Sequence, residues 1–153
     1  MKSEERWIVM LRKKIGIFSE KVINALDLDI PVGTPIYIAD SNIAHMKASH
    51  PEDFRKYGGD MESIIANPDY VGKNAADDSV EFEKEYILNG DFVKVAVRIS
   101  LKSIYYARSL YTLNPNRVRN FIAKGTIFNQ AFGNLPKSLL YFSQDRIKKP
   151  SYF

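Results

Sequence analysis

The sequence predicts an α+β fold: N-terminal helices packed on an antiparallel β-meander of about four strands, followed by a C-terminal helix and tail. Three observations lead there. Residues 79–113 read as three consecutive strands, opening with Val80, Phe82, Tyr86 and Leu88 on one parity against Glu81, Glu83 and Glu85 on the other, the period-two pattern of a sheet with unlike faces. Asn89-Gly90 supplies a hairpin turn,. Upstream, short apolar runs separated by Ser, Asp, Pro and Gly read as brief strands and helices,.

In chain order, residues 15–18 (IGIF) form a short strand, and Ser19 caps a helix through Leu26 that turns Val22, Ile23 and Leu26 to the core,. Pro31, Gly33 and Pro35 mark a loop, and Ile36, Tyr37 and Ile38 a second strand,. Asp40 or Ser41 caps a helix carrying His45, which stops before His50-Pro51 because a residue preceding proline avoids the helical region,. Residues 52–57 and 61–66 are short helices divided by Gly58-Gly59, and Asn67-Pro68-Asp69 ends the second. Residues 71–78 read as a polar loop without core residues, a place for mobility or substrate contact,.

In the meander, a type I′ turn at Asn89-Gly90 sets Leu88 opposite Asp91, Tyr86 opposite Val93, Lys84 opposite Val95 and Phe82 opposite Val97,. Val93, Val95, Val97 and Ile99 then join the apolar face, while Glu85 faces Lys94 and Glu81 faces Arg98 as opposite charges,. Lys84 breaks the apolar parity. With Leu101-Lys102 as the next tight loop, Arg108 falls beside Val95, giving a row of Lys84, Val95 and Arg108. Such cations either find a carboxylate or anion or snorkel to water at an open edge. After the meander, Asn114 and Pro115 start a helix that presents Val118, Phe121 and Ile122 and ends at Gly125,. Residues 126–153 form a basic, aromatic tail with Arg146, Lys148 and Lys149.

The length of 153 residues fits a single domain, 1–153, and 45% hydrophobic with 26% charged residues is a globular composition,. A net charge of +4 favours a polyanionic partner without specifying one,. The lack of cysteine excludes disulfides, cysteine nucleophiles and thiolate metal sites,. No stretch approaches the ~18 apolar residues of a membrane span, and Glu4, Glu5 and Arg6 do not form a signal-peptide start, so no membrane partner and a cytoplasmic location are expected. Gly58-Gly59 lacks the Lys-Ser or Lys-Thr of a phosphate loop, and no serine-hydrolase elbow occurs,. No cofactor is expected.

What chemistry remains centres on both histidines of the chain, His45 and His50, since imidazole transfers protons best near neutral pH. Their spacing of five is not that of a helical zinc pair, and no third ligand stands nearby, so no metal is expected,. Tyr105, Tyr106 and Tyr111 offer rings on which splayed bases stack, or else serve the sheet and its core,.

The order of short strand, helix, strand and histidine segment (IYIADSNIAHMKASHPEDF), then Asn67-Pro68-Asp69-Tyr70, a strand with a lysine, a strand with an arginine, and YYARSLYTLNPNRVRNFIAKG resembles the phage-associated nuclease domains of the barnase/EndoU/colicin/RelE-like superfamily. The resemblance covers a core of residues 15–125 and leaves the tail 126–153 outside. It implies a metal-independent endoribonuclease of toxin or phage type that leaves a 2′,3′-cyclic phosphate. It also implies a site lined by His45 or His50, Lys84, Arg98 or Arg108, and Ser109 or a nearby tyrosine, and Tyr105, Tyr106, Tyr111 and Lys94 are the candidates for holding substrate. RNA, as tRNA or a single strand, and a cognate inhibitor protein are the partners implied. The alternative is a non-catalytic nucleic-acid or partner-protein binding module on a degenerate nuclease fold.

Overall fold

A computed structural model of the chain describes residues 12–114, together with 116, 119, 120, 123 and 127–129. The chain enters through strand β1 (Arg12–Ile17), passes helix α1 (Glu20–Leu26) and returns as β2 (Pro35–Ala39), antiparallel to β1. Ser19 caps α1 as expected, its hydroxyl accepting the Val22 N–H at 3.3 Å, and Val22, Ile23, Ala25 and Leu26 are buried. Helix α2 (Asp40–Ser49) follows β2 directly. Its N-cap is Ala39, not Asp40 or Ser41. The Asn42 side chain accepts the Ala39 N–H at 2.9 Å and so performs the capping from inside the first turn,.

His50 ends α2, and Pro51 opens α3 (Pro51–Tyr57), where its missing N–H costs nothing,. A 3₁₀ turn (Gly58–Asp60) leads to α4 (Met61–Ala66). Residues 71–78 are not wholly a loop. Tyr70–Lys73 form β3, and Val71 is fully buried. One buried valine beside Gly72 leaves too short an alternation to be seen in the sequence.

The three expected meander strands are β4 (Val80–Tyr86), β5 (Asp91–Ile99) and β6 (Tyr105–Leu113). The sheet is wider than the expected four-strand meander. Among the described residues it has seven strands in the order β1-β2-β6-β5-β4-β3-β7, with β7 (Ile127–Asn129) on β3. It is also mixed, because β2 runs parallel to β6. β7 comes from the segment read as a tail. The helix expected over 115–124 falls mostly outside the described residues; the Asn114 side chain does accept the Asn116 N–H at 2.8 Å.

The register of the β4–β5 hairpin differs from expectation by two. Phe82 faces Val95, Lys84 faces Val93 and Tyr86 faces Asp91. The turn spans four residues, with the N–H groups of Asn89 and Gly90 both donating to the Tyr86 carbonyl at 3.1 and 2.9 Å. Gly90 has φ 71° while Asn89 stays out of the left-handed region, whereas a type I′ turn needs positive φ at both. Tyr57 fixes this choice: its hydroxyl donates to Asp91 and accepts from Asn89. Leu88 is therefore fully exposed at the tip and Ile99 is also exposed, although both were expected on the apolar face.

A shift of two preserves the faces. Val80, Phe82, Val93, Val95 and Val97 do form the core face, against α1 and α4. Each fully buried aromatic or aliphatic side chain contributes roughly 1.5–3 kcal/mol. The other face carries Arg12, Tyr37, Ala96, Arg98, Tyr106 and Ser109, and helices α2 and α3 run along β6 beside it.

Candidate functional site

The floor of a cavity of about 640 Å³ is built where β5 and β6 depart from regular pairing. Ala96 faces Ser109, but Val97 faces Ala107, so Arg108 is the extra residue of a bulge. Unbulged pairing would set Arg108 opposite Val97, in the core. The bulge puts Ala107 there instead, fully buried, and turns Arg108 out to the cavity,. The expected row of Lys84, Val95 and Arg108 therefore does not form. Val95 faces Leu110.

Arg98, Tyr106, Arg108 and Ser109 rise from the floor, His45, Ser41 and Asn42 come from α2, and Asp77 closes the far side from the β3–β4 loop. Asp77 accepts from the Ser79 hydroxyl at 2.7 Å and the Ser79 N–H at 3.0 Å. These bonds, the hydroxyl first, hold its carboxyl below the usual range, with Arg98 adding to them,. The Asp77 Oδ2 to Arg98 Nη1 distance is 3.3 Å. Both groups are partly exposed, so the pair is weak and opens to a better anion. Glu81 does not face Arg98 as the sequence suggested.

Below the cavity on the same face, Lys94 donates to Glu81 at 2.9 Å with both side chains buried. The expected partner, Glu85, faces Phe92. Asn74 also donates to Glu81, at 3.3 Å. The Lys94 ammonium lies 4.9 Å from the Tyr111 ring centroid, and the His50 ring stacks on the same tyrosine at 4.9 Å and 27°. Burial opposes the charge on Lys94, but the Tyr111 hydroxyl and Glu81 outweigh it and raise its pKa. Beyond this pair, Glu83 is fully buried without a hydrogen-bond partner on either oxygen.

His45, Arg98, Arg108, Ser109 and Tyr106 thus come together, while His50, Tyr111 and Lys94 form an adjoining row. Lys84 and Tyr105 lie elsewhere. Lys84 reaches the turn before β3 on the core face, 3.6 Å from Asp69 and donating to the Asn67 carbonyl at 3.0 Å. The Tyr105 ring packs edge-on against Phe18 at 4.8 Å, on the core side. Asp77, Ser79, Ser41 and Asn42 were not foreseen, although the loop holding Asp77 was marked as a place for substrate contact. Among the described residues, no three His, Asp or Glu side chains converge as a metal-ligating set, and no helix is long and apolar enough to cross a membrane.

A family model described as phage-Barnase-EndoU-ColicinE5/D-RelE like nuclease3 matches residues 13–120. No curated protein and no solved structure matches the chain.

Proposed function

Because the chain belongs to this family of phage nucleases, we propose that it is an endoribonuclease that cleaves without a metal ion and leaves 2′,3′-cyclic phosphate ends. The observation that carries the reading is the meeting of His45, Arg98, Arg108 and Asp77 in one open cavity. In-line attack of a 2′-oxygen on the adjacent phosphorus forms the 2′-O–P bond and breaks the P–O5′ bond. The 2′-proton must leave, the equatorial oxygens gain negative charge, and the departing 5′-oxygen must receive a proton.

Asp77, held ionised by Ser79, takes the 2′-proton once the substrate phosphate has drawn Arg98 away from it. Arg98 and Arg108 hold the charged phosphorane, two guanidinium forks whose geometry suits phosphate oxygens. His45 protonates the 5′-oxygen. Ser109 adds a hydroxyl donor, and Tyr106 offers a ring to the neighbouring base,. His50, Tyr111 and Lys94 extend the same surface toward the substrate's flank.

The test is incubation of the purified protein with end-labelled tRNA and mixed single-stranded RNA in EDTA, followed by analysis of the ends. Cleavage that survives EDTA and yields cyclic phosphates is expected, with His45→Ala slower by about 10²–10⁴-fold. Cleavage abolished by EDTA, or equal cleavage of DNA, which lacks the 2′-hydroxyl, overturns the mechanism. RNA bound without any cleavage points instead to a binding module.

A further inference from the structure

The cavity does not end at Tyr106. Successive strands place Lys14 beside Tyr37, Tyr37 beside Tyr106 and Tyr106 beside Arg98, so one row crosses β1, β2, β6 and β5. The row lies on the face away from the core, since Ile36 and Ile38 on either side of Tyr37 are buried. The two rings are 6.4 Å apart between centroids and tilted by 48°. The Arg12 guanidinium sits 4.5 Å from the centre of the Tyr37 ring. Lys13, on the other parity, turns to the core side and pairs with Glu62 at 3.2 Å. Among the described residues, neither Arg12 nor Lys14 has a carboxylate partner.

We propose that Arg12, Lys14 and Tyr37 form a binding track for single-stranded RNA that continues from the cavity to the β1 edge of the sheet. The choice of RNA as ligand rests on the nuclease reading. Two neighbouring rings flanked by cations, Lys14 and Arg12 at one end and Arg98 at the other, match a polymer that carries successive bases on a chain of phosphates. A duplex hides the base faces that such rings hold, whereas a single strand presents them and stacks on any aromatic platform irrespective of sequence. Charge complementarity also fits, because Arg12 and Lys14, without a carboxylate partner among the described residues, attract a polyanion,. Tyr37 takes a base one step beyond the base on Tyr106, and Arg12 and Lys14 hold the flanking phosphates.

Binding is read by fluorescence anisotropy with a 2′-O-methyl single strand of roughly 12 nucleotides, whose blocked 2′-oxygen separates binding from cleavage. Tyr37→Leu is expected to weaken binding about tenfold while Tyr37→Phe, which keeps the ring, binds like the wild type. The double variant Arg12→Ala with Lys14→Ala should lower the slope of log affinity against log salt by about 1.4, the value for two phosphate contacts on a single strand. A duplex of the same sequence should not register the Tyr37 change. Wild-type affinity and salt slope in both Tyr37→Leu and the double variant would overturn the track, as would a wild type that does not bind the strand. Cleavage by the wild type beside such unchanged binding sinks the track alone, and binding without cleavage sinks the nuclease reading alone.

Discussion

Glu83 sits in surroundings that oppose its charge. It faces Tyr70 on β3 and Lys94 on β5. Burial first, then the neighbouring Glu81 carboxylate, push it from the ordinary 4.5 up to about 8, with Lys94 only partly offsetting them,. Lys94 is already committed to Glu81 at 2.9 Å. The folded state therefore holds a proton that the unfolded chain releases above about pH 4.5. The contribution of Glu83 is full below that value and is lost as pH rises to about 8, where folded Glu83 ionises as well,. Urea midpoints measured across this window should decline for the wild type by an amount worth a few kcal/mol. In Glu83→Gln, which stays neutral, that decline should vanish. Neither the burial nor the shift was legible in the sequence, where Glu81, Glu83 and Glu85 read as the charged face of one strand. His45 stood out because the chain has two histidines, and Arg98 and Arg108 because they sit on strands, whereas Asp77 looked like any carboxylate in an acidic loop.

At the scale of elements, alternation settled the faces of β4 and β5 but not their register. Period two reports only which side a residue takes, and a displacement of two leaves every side unchanged. The register followed the turn, and the turn followed Tyr57, a residue 34 positions from Asp91 that no local pattern reveals. The β6 bulge was equally hidden, because one extra residue carries no compositional mark. Its effect is large, since it separates two cations that the sequence had set in one row. On the proposed mechanism, Arg108→Ala should therefore cut the RNA cleavage rate by about 10²–10³-fold, the loss of one cavity cation that stabilises developing charge. Lys84→Ala, which removes a side chain paired with Asp69 at the opposite face, should leave the rate at the wild-type level. Single-turnover cleavage of one RNA by both variants checks the contrast.

Across the whole molecule, the class and the helix order were legible because each helix has its own cap or stop: Ser19, the His50-Pro51 pair, and Asn67-Pro68,. Strand order was not. The sheet joins β2 to β6 in parallel through the pairs Ile36 with Tyr105 and Tyr37 with Tyr106, and such distant pairing leaves no trace in a linear pattern. That junction divides the sheet into a segment closed locally by β1 and β2 and another closed by the hairpins from β3 to β6. The cavity takes residues from both segments, and the proposed RNA track runs directly across the join. A bound strand would then act as a splint. Hydrogen exchange with the 2′-O-methyl oligonucleotide bound should slow most at the amides of residues 36–37 and 105–106, with smaller changes at the β4–β5 hairpin. On the proposed reading, the strand that the site would cut is also the one that bridges the parallel join of β2 and β6.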